Sequence, residues 1–285
     1  METTFIDYEV EGRIATITLN RPEAANAQTL PMLDDLDEAW RQAADDDDVR
    51  VIILQANGKH FSAGHDIKAV GAGADGTRSA VGPSTESQAS GRTNAKWTLA
   101  GIYAIEARRF LEYSLRWRNV PKPSIAAVQG VCIAGGLLLA WPCDLIIAAE
   151  NAKFSDPVAL MGIGGVEYHG HTWEFGPRKA KEMLFTASSI TAAEAAQLGM
   201  VNKVVPLENL EEEAMAMANK IARMHPFALS MAKRAVNQTM DIMGQYAALQ
   251  AVFDIHQLGH GSALAMTGEA VLMGLDGLKP ANKAG

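Results

Sequence analysis

The chain has 285 residues, 33 acidic against 25 basic side chains, a net charge of −8 and a hydrophobic fraction of 48%. That length holds one large domain or a domain with a helical annex, and the hydrophobic fraction is ample for a packed core. The acidic balance, with no basic stripe to displace counterions from phosphates, argues against nucleic acid as a partner, although a few local Lys or Arg still suffice for an anionic small molecule.

FIDYEVEGRIATITLNRP (5–22) reads as two short strands joined at Glu11-Gly12, the second alternating Ala15, Ile17 and Leu19 against Ile14, Thr16 and Thr18. TLPMLDDLDEAWRQAADDD (29–47) follows as a helix with Leu30, Met32, Leu33, Leu36 and Trp40 along one stripe. The run of aspartates at 45–48 reads as its solvated end. VRVIILQA (49–56) is nearly continuous in apolar, mostly β-branched residues, the pattern of a strand buried on both faces. Residues 71–95 are rich in Gly, Ser, Thr and Ala without periodicity and read as a mobile loop. KWTLAGIYAIEARRFLEYSLRWRNV (96–120) reads as an amphipathic helix ended by Pro121 and Pro123. SIAAVQG (124–130) and CDLIIAAE (143–150) read as strands, with VCIAGGLLLAW (131–141) between them as a glycine turn entering a short apolar helix. From residue 178 onward the pattern is helical, and no internal repeat is visible. The expectation is an α/β core over residues 1–200 with a helical C-terminal region over 201–285.

Cys132 and Cys143 lack CxxC spacing and lie in apolar surroundings, which reads as two buried free thiols in a reducing compartment. METTFIDYEV offers neither a basic nor an apolar leader region. The longest apolar run, 131–141, is too short to span a bilayer. A cytoplasmic protein with no membrane or nucleic-acid partner and no metal is expected.

Two stretches carry chemistry. In IAGGLLLA a Gly-Gly pair opens a helix, whose first-turn N–H groups lack intrahelical acceptors and sit at the positive end of the dipole. Glycine lets a ligand oxygen approach that backbone, which suits an oxyanion. Close packing of helix on strand is the plainer explanation of Gly135 and Gly136. FSAGHDI (61–67) is also glycine-turned and also follows a strand. Two such turns from different strands can aim two N–H groups at one point, as a thioester enolate requires.

FSAGHDI, QGVCIAGGLLLAWPCDLIIAAENAKFSDP (129–157) and GMVNKVVP (199–206) together resemble, in order, the signature blocks of the crotonase, or enoyl-CoA hydratase/isomerase, superfamily. The resemblance spans about residues 5 to 240. It implies a spiral of β-β-α turns followed by a helical trimerisation region, with homotrimers often paired into hexamers. It also implies an acyl-CoA thioester substrate, with coenzyme A carried as part of that substrate and no separate cofactor. The oxyanion-hole amides fall on His65 and Gly135. The CoA cleft falls on Arg21 to Ala25 and on the AGHDI segment, so that Ala25, Ala63, Asp66 and Ile67 line it. Lys68 matches a basic position near the CoA phosphates, and Asp66 matches an aspartate that is structural rather than catalytic.

Two departures from the family pattern bear on the reaction. Family hydratases use two glutamates to add water across the enoyl double bond; the matching positions here are Leu138 and Val158, and an aliphatic side chain moves no proton. These two are expected to wall the acyl pocket. In VEYHGHTWE (166–174), Glu167 lies near the place where some superfamily isomerases carry a single base, and is the candidate for that role. A polar helix start, with Glu167 favouring the dipole, is the plain alternative. Tyr168 and His169 are secondary candidates for acid or base. The expectation is therefore an enoyl-CoA hydratase/isomerase family enzyme, lyase or isomerase, with single-base isomerase chemistry favoured. Two alternatives stand beside it. FSAGHDI with its histidine also resembles methylmalonyl-CoA decarboxylase, where loss of CO2 generates the enolate and Tyr168 would orient the leaving carboxylate. The other alternative is a catalytically silent acyl-CoA-binding oligomer.

Overall fold

The computed structural model describes residues 5–66 and 98–272; Ile67, Lys68 and residues 71–95, expected as a loop, lie outside them. Six strands form the main sheet in the order β1-β2-β3-β4-β6-β9: β1 Ile6–Glu11, β2 Ile14–Leu19, β3 Val51–Ala56, β4 Ser124–Val128, β6 Leu145–Ala149 and β9 Lys203–Val205. The β1–β2 hairpin is antiparallel and every later pairing is parallel. A smaller sheet, β5-β7-β8, joins Val131–Ile133, Lys153–Ser155 and Ser189–Thr191.

Parallel strands are covered on both faces, and side chains alternate between those faces. Ile17, Leu19, Ile52, Leu54, Ala126, Val128 and Ala148 therefore point into the larger core. Ile14, Val51, Ile53, Ile125, Ala127 and Ile147 point the other way, onto Leu210, Ala214 and Ala218 of a C-terminal helix. The fold thus continues past residue 200, where β9 completes the main sheet and the helix Leu210–Ala222 covers its second face.

The first helix, α1, Leu30–Asp45, starts where the Thr29 side chain accepts from the Met32 amide. It buries Met32, Leu33, Leu36, Ala39, Trp40 and Ala43. The stretch expected as one helix is α2, Leu99–Glu106, a π-helical turn, Ala107–Glu112, and α3, Tyr113–Arg118. Asp34 of α1 clamps the π turn through two 2.9 Å bonds from Arg109, and Asp37 accepts from Trp117 Nε1 at 3.0 Å. Further helices are α4 Leu137–Ala140, α5 His171–Thr186 (kinked at Gly176), α6 Ala192–Leu198, α7 Leu210–Ala222, α8 Pro226–Ile242 and α9 Gln245–Thr267.

Past residue 178 the chain is not wholly helical, since β8 and β9 interrupt it. Both are three residues long, too short for a period-two signal to rise above their helical flanks. Cys132 and Cys143 are free and buried, as expected, and burial pushes both thiols up, away from reactivity. Among the described residues no helix is long and apolar enough to cross a membrane.

Candidate active site

The two glycine turns meet. Ser62 N donates to Val131 O at 3.1 Å and Ile133 N to Ser62 O at 3.0 Å, stitching the first turn to β5. On its other edge, Gln28 N donates to Gly64 O at 2.8 Å and Asp66 N to Gln28 O at 2.9 Å. This parallel bridge uses the groups on either side of His65, so the N–H of His65 points away from the Gln28 strand. Gly64 has φ +88°, and a Cβ there would lie 2.8 Å from Ile133 O and 3.0 Å from Gly135 N. Only glycine fits that approach. Gly135 is the second residue of the 3₁₀ turn Ala134–Gly136, in the stretch whose N–H groups lack intrahelical acceptors. A Cβ on it would strike the His65 ring at 2.8 Å and Gln28 Oε1 at 3.0 Å. The amides of His65 and Gly135 therefore belong to two turns in van der Waals contact.

A buried polar frame fixes both turns. Gln28 Nε2 donates to Gly135 O at 2.8 Å and to Ser62 Oγ at 3.2 Å, and Ser62 Oγ donates to Asn26 O at 2.8 Å. Asn26, fully buried at φ 51°, donates through Nδ2 to Asn57 O at 2.9 Å and His60 O at 2.8 Å, and accepts from Arg21 N at 2.8 Å. Ala63 N donates to Ala25 O at 2.9 Å, which places both beside the first turn. Asp66 accepts from Arg21 Nη1 at 2.6 Å. Its carboxylate thus ties the end of the first turn to Arg21.

Leu138 lies on α4 and is buried; Val158 opens the 3₁₀ turn Val158–Met161 and is partly buried against the main core. Glu167 is not at a helix start. It lies in irregular chain before His171, where α5 begins, is only 3% exposed, and therefore does not serve the α5 dipole. Its carboxylate lies 3.3 Å from His65 Nε2 and 3.6 Å from His256 Nε2. The His65 ring stacks on Phe110 of the π turn at 4.0 Å between centroids.

Tyr168, next in sequence, turns into the large core, and the charges acting on its hydroxyl are those of Arg118, Glu174 and Asp241. Burial raises its pKa, so it is a neutral phenol. Burial first, and then His171, push His169 down to about 4 against the pull of Asp156. Asp156 accepts from Val166 N at 2.8 Å and Val158 N at 3.3 Å, and lies 2.9 Å from His171 Nε2.

Sequence reading missed the other half of this cluster. Glu106, the last residue of α2, is 3% exposed and lies 3.3 Å from the Nε2 atoms of both His256 and His260. Gln257 Nε2 donates to Glu106 Oε2 at 2.6 Å. Burial opposes charge on Glu106, but the two imidazoles outweigh it and hold the carboxyl well below the usual range. Burial likewise lowers His256, yet Glu167 and Glu106 push it up to about 9. The available signal was positional. Leu249, Phe253, His256, His260 and Ala263 form one buried stripe of α9, and two histidines one turn apart on a core stripe are unusual. Among the described residues, surface hollows near Gln129 and Leu210, and near Tyr103 and Tyr246, include none of His65, Gly135 and Glu167.

The enoyl-CoA hydratase/isomerase family profile matches residues 9–89 and 89–260. The chain belongs to the enoyl-CoA hydratase/isomerase family. It is 45% identical over 273 residues to EchA13 of Mycobacterium tuberculosis, a protein carrying an enoyl-CoA hydratase name, covering 94% of this chain and 84% of that one. The short-chain-enoyl-CoA hydratase of Clostridium acetobutylicum is 34% identical over 245 residues, 84% of each chain. A crystal structure of an enoyl-CoA hydratase/isomerase from Xanthobacter autotrophicus Py2 superposes with a TM-score of 0.79 at 30% identity, covering 98% of this chain and 96% of that one. The crotonase-type α/β fold with C-terminal helices is therefore that of this family enzyme.

Proposed function

We propose that the protein binds an acyl-CoA thioester with its carbonyl oxygen on the amides of His65 and Gly135, and that Glu167 moves one proton between carbons of the acyl chain. The observation that carries this reading is the buried Glu167 carboxylate, 3.3 Å from the His65 ring, in a chain that carries Leu138 and Val158 at the two family acid–base positions. Removal of a proton next to a thioester puts charge on the carbonyl oxygen. Two preorganised backbone donors stabilise that charge, each contributing about 3 to 4 kcal/mol in comparable sites. His65 and His256 fix the orientation of the Glu167 carboxylate. Return of the proton at a second carbon shifts the double bond. Hydration instead needs a water held by acid–base groups at the acyl chain, and Glu106 faces His256, His260 and Gln257.

The hydratase names of the relatives support acyl-CoA as the substrate class, and CoA enters as part of that substrate. Copies of the chain associate as a homotrimer or hexamer: α8 buries none of its residues within the chain, and Phe227, Val236 and Ile242 stand 66%, 64% and 87% exposed. The test compares purified protein on a 3-enoyl-CoA and on crotonyl-CoA. Isomerisation of the first, lost in Glu167→Gln, is expected. Rapid hydration of crotonyl-CoA, isomerisation undiminished in Glu167→Gln, or CoA binding with no turnover of either thioester would overturn it.

A further inference from the structure

The cluster at the junction of α2 and α9 has the form of a metal site. His256 Nδ1 lies 2.7 Å from Gly165 O and His260 Nδ1 2.6 Å from Ala270 O. A carbonyl accepts only, so each Nδ1 carries its proton, and each Nε2 is the atom left to take either a second proton or a metal ion. Those two Nε2 atoms face each other at 3.1 Å, and Glu106 oxygens lie 3.3 Å from each. If both were unprotonated they would repel at that distance, so either a proton or a metal ion belongs between them. Edges of a tetrahedron with metal–ligand bonds of about 2.0 to 2.1 Å are about 3.3 Å, so the three donors stand at ligand spacing already.

We propose that Glu106, His256 and His260 bind one divalent transition-metal ion. Carbonyl-anchored Nδ1–H groups are the usual outer support of metal-bound imidazoles, and the Gln257 bond to Glu106 fixes the carboxylate in the same way. The three ligands are all buried, and their donor atoms lie within 4.8 Å of one another. Glu106 and Glu167 bring two carboxyl groups into one buried cluster beside His256 and His260, a setting that a divalent ion suits. Imidazole donors favour zinc, cobalt or iron over magnesium or calcium. A π-helical turn directly after Glu106 also marks this junction, since such turns recur at functional sites. Three protein ligands are the set that keeps one coordination position for water or another ligand. The site stands on its own geometry and does not require Glu167 to be a base.

The competing arrangement places protons rather than a metal between the imidazoles. The experiment uses tag-free, full-length protein, stripped with chelator and titrated with zinc and with cobalt. Saturation at one ion per chain is expected, with visible cobalt absorption bands of a site bearing nitrogen ligands. Glu106→Gln, which keeps the side-chain shape, and His260→Ala should each weaken zinc binding at least 100-fold. His169→Ala, outside the cluster, should leave it unchanged. Wild-type protein that remains folded yet takes up neither ion at one per chain, or a Glu106→Gln variant with undiminished affinity, would overturn the proposal.

Discussion

His65 Nε2 lies 3.3 Å from the Glu167 carboxylate although 102 residues of chain separate the two. The contact joins the ring of one turn to the carboxylate of another segment: in the function proposed above, His65 lends its amide to the oxyanion site while its ring holds the candidate base.

Replacing Glu167 with Gln keeps its volume and removes its capacity to accept a proton. We expect kcat on a 3-enoyl-CoA to fall by about 100-fold or more, the usual worth of a positioned acid–base group. KM should change little, because the amides of His65 and Gly135 remain. Steady-state kinetics with both parameters resolved checks this; a fall in kcat/KM arising from KM alone would assign Glu167 to binding.

Gly64→Ala tests the backbone. Its Cβ would sit 2.8 Å from Ile133 O at φ +88°, so the turn must move and take the His65 amide with it. Strain of this kind costs about 1 to 3 kcal/mol, and loss of one oxyanion donor costs about 100-fold in rate or more. A thermal melt alongside kinetics separates the two. Native melting temperature and native rate together would show that this turn does not shape the site.

The fold itself carries a pH signature at His169. Its pKa of about 4 lies below the ordinary value near 6.5, so the native state binds fewer protons than the unfolded chain between those values. Stability from this group is fully present above about pH 6.5 and is lost as pH falls toward 4, a change on the order of 2 to 3 kcal/mol. His169→Gln should flatten that part of the stability curve, measured by urea unfolding at stepped pH. An unchanged slope would place the acid sensitivity elsewhere.

Ile242 stands 87% exposed and Val236 64% on a helix that buries nothing within its own chain. The double change Val236→Asp, Ile242→Asp should lower the mass found by light scattering from that of the proposed trimer or hexamer toward the monomer. Its far-ultraviolet circular dichroism should be unaltered. An oligomer of unchanged mass would move the interface to another face.

The local steps of the fold were legible because each depends on neighbours in sequence. Strands β2, β3, β4 and β6 announced themselves through apolar runs, and α1 through its stripe from Leu30 to Trp40. The 3-residue strands β8 and β9 did not, since their identity comes from pairing with β7 and β6 rather than from their own side chains. The glycine turns were readable for the same local reason: Gly64 and Gly135 are positions a Cβ would spoil.

The sequence alone determined the family, the two glycine turns, and the absence of acid–base groups at Leu138 and Val158. These follow from residue type and order along one stretch of chain. Only the tertiary structure decided where the titratable groups converge. It buried Glu167 against His65, and it brought Glu106 from α2 to His256 and His260 of α9, about 150 residues away. That meeting depends on a helix-to-helix contact between distant segments, and no local pattern encodes which buried faces will touch.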